Sequence, residues 1–419
     1  MPSEAEEIWR YSGIDAFDLD RFAPGPGGDD AAAAVAAGRE AAGAFGEHAA
    51  LVVTLDGRVV ATEGPVGGAI GGLQVASATG LDAPPPALGA VTVAGDAFDE
   101  LHDAFLSDAV LVEVAAGRSV AAPVLVVHAV TPVPLDGLGR AVFPRTVVRV
   151  GDGASAGVVE LLLSLPAGPA GAAVAAGVPP AGGGPLVVPV TELEVADGAV
   201  LAYANVQELD RGATQVAVQA SRVGTDGELR SFSAVAGGSY SRLRTEAAVA
   251  GTGGRSTLLA AYLATGEQVV DFRTHQEHAA PRTRSELLFK GAVADTARSV
   301  YSGLISIRRG ARGADAVQTN HNLVLSEGAR ADSVPNLDIE ENDVRCSHAS
   351  TVGPIDEDQR YYLESRGIEP SVAERLVVAG FFADLADRAP FAGVGRRVEA
   401  LVGERLSARV PLVSEAGRG

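Results

Sequence analysis

The 419-residue chain is poor in several residue types, and each scarcity excludes a class of protein. It has a single cysteine, so no intramolecular disulfide can hold the fold together. Lys290 is its only lysine, and 33 basic residues stand against 53 acidic ones, for a formal net charge of −20. A broad surface for nucleic acid or anionic lipid needs clustered lysine and arginine. We therefore expect neither nucleic acid nor a membrane as a partner.

Export and membrane signals are also missing from the sequence pattern. No long uncharged apolar run of membrane-spanning length occurs outside stretches rich in glycine, alanine and proline. The start, MPSEAEEIWRYSG, is acidic and lacks the apolar core of a signal peptide. The sequence therefore predicts a soluble cytoplasmic protein.

Nucleotide-binding motifs are not supported. Glycine-rich strings are expected by chance among 51 glycines, and none lies between a clear strand and a helix with an acidic residue about twenty positions later. Lys290 lies in LLFKGAV without the upstream glycines of a phosphate-binding loop. The chain is therefore not itself expected to be a P-loop ATPase.

Short β-branched and aliphatic runs dominate from about residue 110 onward, which predicts strands rather than helices. Turn markers recur between them, at ADGA (196), GTDGE (224), GTGGR (251), RRGARG (308) and SEGARA (326). Apolar triplets begin at Ile305, Leu323 and Leu337, spaced 18 and 14 residues apart. A coil of roughly that length with two or three short strands favours a parallel β-helix. A β-sandwich is the competing layout, and the low aromatic content of 5% argues against it.

The two ends of the chain differ from this central part. Residues 1–109 form a mixed segment, with helices predicted over 30–50 and 96–109 and a hairpin at Asp56-Gly57. Three helices are predicted after residue 353: residues 356–366, a helix opened by Pro370 with Leu376, Val377, Phe381 and Leu385 on one face, and residues 393–409. The predicted domains are thus 1–109, a β-helix core over 110–353, and a helical domain over 354–419.

Most candidate metal ligands look structural. His275 and His278 are three residues apart, which on a strand places their rings on opposite faces, and we interpret them as surface or turn residues. His321, between Asn320 and Asn322, is also interpreted as structural.

Cys346 and His348 are different because residues i and i+2 of a strand share one face. A thiolate and an imidazole are ligands that iron, zinc and copper prefer. Two ligands cannot complete a site, so the pair is either apolar packing or half of a site that another chain completes.

Long strings in the last third of the chain carry a family resemblance: SELLFKGAVADTARSVYSGLISI, QTNHNLVLS and PNLDIEENDVRCSHASTVGPIDEDQRYYLESRGI. The N-terminal strings EEIWRYSGI and DLDRF add to it. Together they resemble the SufB/SufD family of iron-sulfur cluster assembly scaffold proteins, and the SufD-like members more closely. The similarity covers nearly the whole chain and is strongest in the last third.

This resemblance implies a fold, partners and site residues. The fold would be mainly β, a right-handed parallel β-helix with helical segments at both ends, paired with a SufB paralogue and bound to the SufC ATPase through the C-terminal helices. SufB-like chains have a cysteine implicated in cluster building at the position of Asn320 and a glutamate at that of Ala349, so both absences favour a SufD-like chain. Cys346 and His348 match the family's CSH motif at the heterodimer interface.

We therefore expect a non-catalytic scaffold subunit of the SufBCD complex. Cys346 and His348 are its candidate cluster-binding residues, with His348 as the metal ligand, and the nascent iron-sulfur cluster would be transient and shared with SufB. Two alternatives stay open: a carbohydrate-active enzyme built on a β-helix, and a purely structural interface partner.

Overall fold

The structure is a computed structural model that describes residues 2–25, 30–64, 71–80, 88–92, 95–132, 137–166 and 183–409. It is mainly β, with helices toward both ends. Among these residues, no helix is long and apolar enough to cross a membrane.

Strands account for most of the regular structure between residues 50 and 353 of the described ranges. They are β1 (Phe22–Pro24), β2 (Ala50–Leu55), β3 (Arg58–Glu63), β4 (Leu73–Ser77), β5 (Val110–Val114), β6 (Val124–Val130), β7 (Gly139–Val142), β8 (Arg145–Val150), β9 (Ser155–Ser164), β10 (Leu186–Val187), β11 (Val190–Val195), β12 (Val200–Glu208), β13 (Thr214–Val223), β14 (Glu228–Val235), β15 (Tyr240–Val249), β16 (Arg255–Ala264), β17 (Val269–His278), β18 (Arg284–Val293), β19 (Arg298–Ile307), β20 (Asp315–Val324), β21 (Arg330–Ile339) and β22 (Arg345–Gly353).

These strands build two facing sheets of a parallel β-solenoid with about seven turns. The first sheet runs β21-β19-β17-β15-β13-β11-β8-β5-β4, and the second runs β22-β20-β18-β16-β14-β12-β9-β6-β2-β3. From β11 to β22, each turn contributes one strand to each sheet, so consecutive strands alternate between sheets and pair one turn away. Earlier in the chain, β2–β3 and β4–β5 are antiparallel neighbours within one sheet. The predicted parallel β-helix is confirmed. Strands β2 to β4, which precede residue 110, belong to the same two sheets.

The predicted coil length of 14 to 18 residues is wrong. Strand β17 begins at Val269 and β19, its neighbour in the same sheet, begins at Arg298, so a full turn takes about thirty residues. Ile305 lies in β19, whereas Leu323 lies in β20 of the opposite sheet. The triplet spacing therefore measured half a turn.

The recurring turn markers do lie between consecutive strands. The GTDGE turn connects β13 to β14, and its Asp226 has a φ of 51°, a left-handed conformation that aspartate tolerates. The GTGGR turn connects β15 to β16, and Gly253 takes a φ of 75° there. Such tight corners let parallel strands stack without long connections.

The solenoid interior is apolar for much of its length but includes polar side chains. Four rings form an aromatic ladder across it, with centroids 5.1 Å apart from Tyr262 to Phe272, 5.1 Å from Phe272 to Phe289 and 5.7 Å from Phe289 to Tyr301. Contacts in this distance range stabilise beyond simple area burial. The interior thus joins the two sheets into one core.

A buried carboxylate anchors the interior of the earlier turns. Glu160 accepts hydrogen bonds from Tyr203 Oη at 2.5 Å, Thr191 Oγ1 at 2.9 Å and Thr146 Oγ1 at 3.0 Å. His128 Nε2 lies 2.9 Å from the same carboxylate. Burial alone would raise the pKa of Glu160, but the His128 partner and the hydroxyl donors keep it below its ordinary value. The network therefore holds an ionised carboxylate inside the sheet pair.

The N-terminal segment is fastened to the outside of the first sheet. It contains short 3-10 turns at Glu7–Trp9, Ile14–Ala16 and Leu19–Arg21, and a further one lies at Ala78–Gly80. The Arg242 guanidinium lies 3.7 Å from the Trp9 ring centroid, binds Asp271 at 2.5 Å and donates to the Ile8 carbonyl at 2.7 Å. A buried charge is tolerated only when paired in this way.

Helices cover the outer face of the second sheet. They are α1 (Ala31–Phe45), α4 (Pro370–Asp387) and α5 (Ala392–Arg409), while α3 (Glu357–Ser365) packs on α4 and α2 (Ala97–Phe105) packs near the N-terminal segment. The hairpin predicted at Asp56-Gly57 is confirmed by the antiparallel pairing of β2 and β3.

The predicted apolar face of α4 is wrong in part. Val378, Phe382 and Leu385 are buried against the sheet, whereas Leu376 is 49% exposed. Apolar residues surround this helix on most sides, so its sequence period does not define which side meets the sheet. The exposed apolar side chain becomes important for the surface described below.

We predict that the hydroxyl of Tyr203 stabilises the solenoid more than that of Tyr301. Tyr203→Phe removes a donor to an ionised carboxylate and should lower the free energy of unfolding by about 2 kcal/mol. Tyr301 is equally buried, and its hydroxyl hydrogen-bonds only to the neutral Thr274 hydroxyl, at 3.0 Å. Tyr301→Phe should therefore cost about 1 kcal/mol. Urea denaturation checks the order; equal losses in the two variants would contradict it.

Candidate functional site

Cys346 and His348 lie on β22, the last strand of the second sheet. One side of β22 pairs with β20, and its other side ends the sheet. Strand β21 ends the first sheet at the same turn. Both sheets thus present an edge strand at one end of the solenoid, which we call the open end.

Register places both side chains on the interior side of the sheet. Cys346 pairs with Ala316, and His348 pairs with Gln318; both partners are 1% exposed and face the space between the sheets. Paired residues on parallel strands point to the same face. The expectation that the thiol and the imidazole share one face of a strand agrees with this register, and that face is the inner one.

The Cys346 thiol is half-buried. It packs against an apolar cluster that includes Ile305, Ile307 and Ala311. Burial in these surroundings raises the pKa of the Cys346 thiol. In the isolated chain the side chain is therefore a protonated thiol at neutral pH, and a metal or a positive charge must come close before it becomes a thiolate ligand.

His348 is exposed because no further turn covers it. Across the described ranges, no group of three or more histidine, cysteine, aspartate or glutamate side chains is arranged to hold a metal ion. Cys346 and His348 therefore offer one sulfur and one nitrogen, fewer donors than a structural iron or zinc site needs. The geometry is that of an incomplete site open on one side.

Three partly exposed apolar side chains lie on the inner face of the same two edge strands. Leu337 is 38% exposed and Ile339 is 44% exposed on β21, and Val352 is 44% exposed on β22. Their register partners in the turn beneath, such as Ile305 under Leu337, are buried. These residues belong to the core pattern but lack the next turn that would cover them. The sequence signal was an apolar alternation that continues into the final strands.

The other candidate histidines do not join this site. His275 is on the outer face with Nε2 3.0 Å from Ser306 Oγ, and His278 is on the inner face between Thr283 and Ser285. Their predicted opposite orientation is confirmed. The interpretation of His278 as a surface residue is wrong, because it is fully buried and burial lowers its pKa to about 4.

A second exposed surface lies between α3 and α4. Leu323, Tyr362, Leu363, Leu376 and Phe381 line a groove there, with acidic side chains of Asp356 and Asp358 at its rim. Tyr362 is 58% exposed, and its neighbour Tyr361 is 72% exposed. The sequence periodicity did not predict this groove, because the groove forms only when one particular side of α4 packs against the sheet.

Lys290 fixes α4 beside the groove. Its ammonium donates to the Phe381 carbonyl at 2.9 Å and pairs with the Asp384 carboxylate. It also lies 4.9 Å from the centroid of the Phe381 ring. The single lysine therefore holds the helix on the sheet.

The string GASAG, residues 153–157, has the GxSxG spacing of a hydrolase nucleophile. That motif requires a sharp turn from a strand into a helix. Ser155 instead begins β9, and its hydroxyl is 2.7 Å from the Ser119 hydroxyl. The string is therefore a turn that enters a strand.

We predict that Cys346 in the isolated chain reacts slowly with alkylating reagents at neutral pH. Because burial raises its pKa, the rate should rise with pH to a midpoint above the ordinary thiol value of about 9.0. Ile307→Ala removes part of the apolar cover and should move the midpoint down. The alkylation rate against pH checks both, and a midpoint below that of a free thiol would contradict the assigned environment.

Comparison with known proteins gives the family. An iron-sulfur cluster assembly SufBD family protein of Mycobacterium tuberculosis is 36% identical over 223 residues, which are 51% of this chain and 56% of that protein. The iron-sulfur cluster assembly protein SufD of Escherichia coli is 35% identical over 176 residues, 42% of each chain. SufD of Bacillus subtilis is 40% identical over 137 residues, 33% of this chain and 31% of its own.

These matches span about half or less of the length of the curated relatives. The family model for the SUF system FeS cluster assembly, SufBD core domain, matches residues 134–381. This region contains most of the solenoid, the whole of β22 and the first part of α4. Because it exceeds half of the 419 residues, the chain belongs to the SufBD family of iron-sulfur cluster assembly proteins.

Proposed function

We propose that this protein is a non-catalytic scaffold subunit that builds iron-sulfur clusters together with a SufB-like paralogue and a SufC-like ATPase, in the cytoplasm. The observation that carries the proposal is the open end, where Cys346 and His348 face an uncovered interior. Two relatives named SufD support the assignment to cluster assembly.

The nascent cluster is the cargo of this site. His348 would supply an imidazole nitrogen to iron, and its exposure leaves the ring free to meet a cluster held by a second chain. Cys346 would lie beside it as a thiol that becomes a ligand only when the cluster's charge lowers its pKa. A site with two donors holds its cargo weakly, as a scaffold that must release a finished cluster requires.

Pairing with the paralogue would occur at the open end. Strands β21 and β22 present unpaired backbone groups over ten and nine residues. Exposed edges of this length favour the addition of further strands from another chain. Leu337, Ile339 and Val352 would be covered by the same contact, which would close the interior around the cluster.

The groove between α3 and α4 is the proposed docking surface for the ATPase. Its apolar lining and the exposed Tyr362 provide the aromatic anchor typical of interface centres. It lies on the outer face of the second sheet, away from the inward-facing pair, so both partners could bind at once. Conformational change driven by the ATPase could then reach the open end through α4 and the sheet beneath it.

We predict that His348→Ala lowers the iron and sulfide content of the co-expressed complex several-fold, because a metal ligand is lost. Cys346→Ala should lower it less, since the thiol is protonated until a cluster approaches. Ser347→Ala is the matched control, because Ser347 is exposed between the two residues on the opposite face of β22. Iron and acid-labile sulfide are measured after anaerobic purification.

Undiminished iron and sulfide in both His348→Ala and Cys346→Ala would contradict the assignment of these residues as cluster ligands. Retained complex formation with unchanged cluster content would instead identify a purely structural interface. Loss of the complex itself in His348→Ala would also contradict the proposal, because the ligand role predicts that subunits still assemble.

We predict that Leu376→Asp weakens co-purification of the ATPase at least tenfold, because it places a charge inside an apolar docking groove. Ala400→Asp is the control, since Ala400 is exposed on α5 outside the groove. Both variants should keep the paralogue bound. Equal ATPase recovery in the two variants would show that the groove is not the docking surface.

A further inference from the structure

Gln318 is a buried side chain whose polar atoms are unsatisfied. It is 1% exposed, and neither its amide oxygen nor its amide nitrogen has a hydrogen-bond partner. Leaving a buried amide unpaired destabilises the fold, because the group has lost its hydrogen bonds to water. An unsatisfied buried amide therefore calls for an explanation, and a partner that arrives later is one such explanation.

The position of Gln318 relates it directly to the candidate site. It lies on β20 with Leu287 one turn beneath it and His348 one turn above it, all in register on the inner face. Adjacent parallel strands are about 4.8 Å apart. Since β22 is the last strand of its sheet, His348 is the register neighbour of Gln318 on that side.

Space for the amide comes from a glycine across the interior. A Cβ atom at Gly303 would collide with the amide nitrogen of Gln318 and with the Tyr301 hydroxyl. The long side chain of Gln318 therefore reaches across the interior to Gly303. The register places His348 beside Gln318 on the strand above.

An imidazole that binds a metal through one nitrogen keeps a proton on the other. That N–H is almost always donated to an acceptor, which fixes the tautomer and the ring plane. The Gln318 carbonyl oxygen is a free acceptor with two lone pairs. Gln318 thus offers an acceptor that has no donor. Its register neighbour His348 needs an acceptor for its N–H once iron binds.

We propose that Gln318 is a positioning residue for His348: its Oε1 accepts the N–H of the ring nitrogen that does not bind iron. The inference rests on the proposed role of His348 as an iron ligand. In the isolated chain the amide lies over Gly303. In the assembled, cluster-loaded complex it orients the ring and raises its basicity toward the metal.

Gln276 provides a matched control within the same interior. It is also 1% exposed, and both of its amide atoms also lack hydrogen-bond partners. It lies on β17 of the opposite sheet, where the residue one turn above it is Ile305 rather than a histidine. The two glutamines therefore share burial and lack of partners but differ in what lies above them.

The experiment replaces each glutamine by methionine, which is similar in length but cannot accept a strong hydrogen bond. Both variants should melt at or above the wild-type temperature, because an unsatisfied buried amide is removed. In the co-expressed complex, Gln318→Met should retain iron about tenfold less well in a chelator competition. Gln276→Met should match the wild type.

A spectroscopic readout separates positioning from packing. Pulsed EPR of the reduced cluster, with ¹⁵N-labelled histidine, should show an altered nitrogen coupling in Gln318→Met and the wild-type coupling in Gln276→Met. Wild-type iron retention and coupling in Gln318→Met would overturn the inference. Equal losses in both variants, or a large loss of melting temperature in Gln318→Met, would also overturn it by indicating a packing role.

His348→Ala distinguishes failure of this inference from failure of the proposed function. If His348→Ala releases iron while Gln318→Met does not, only the positioning role fails. If neither variant affects iron, the ligand role of His348 fails as well.

Discussion

In-register pairing between successive turns is the constraint on which the rest of the structure depends. From β13 to β22, each strand pairs with a strand about thirty residues away, and each inner side chain stacks on the one beneath it. This stacking continues along both sheets up to β21 and β22, which have no further turn above them. The open end is therefore a direct consequence of the repeat, and Cys346 and His348 lie on its last strand.

Polar side chains inside the solenoid differ in whether their hydrogen bonds are satisfied. Around Glu160 the carboxylate has partners from several strands of both sheets, so the interior is closed and satisfied. Around Gln318 and Gln276 the amides have none. Satisfied polar groups rigidify a core, whereas unsatisfied ones are costly and call for an explanation. The inner side chains of Asn320, Asn322 and His278 in the same late turns are hydrogen-bonded, so the two unsatisfied amides are local exceptions.

Sequence reasoning recovered what local patterns encode. The i, i+2 spacing of Cys346 and His348 gives a shared strand face, and Asp56-Gly57 between β-branched runs gives a hairpin. It failed where tertiary register decides the outcome. The triplets at Ile305 and Leu323 lie on different sheets, so their spacing is half a turn. Without the true turn length, no pattern could have placed Gln318 beneath His348.

The orientation of α4 is a second feature that the sequence did not predict. The sequence of α4 is apolar around most of its circumference, so its period did not reveal that Leu376 faces outward. The packing of Phe382 and Leu385 on the second sheet settles that question. The resulting groove and the open end are two exposed apolar surfaces among the described residues, and one proposed partner corresponds to each.

Anomalous diffraction at the iron edge tests the central claim most directly, on crystals of the anaerobically co-expressed complex with its paralogue. The account predicts an iron peak at the open end within about 2.0–2.2 Å of a His348 ring nitrogen, with β22 covered by the second chain. An iron peak remote from β22, with His348 still facing solvent, would contradict it.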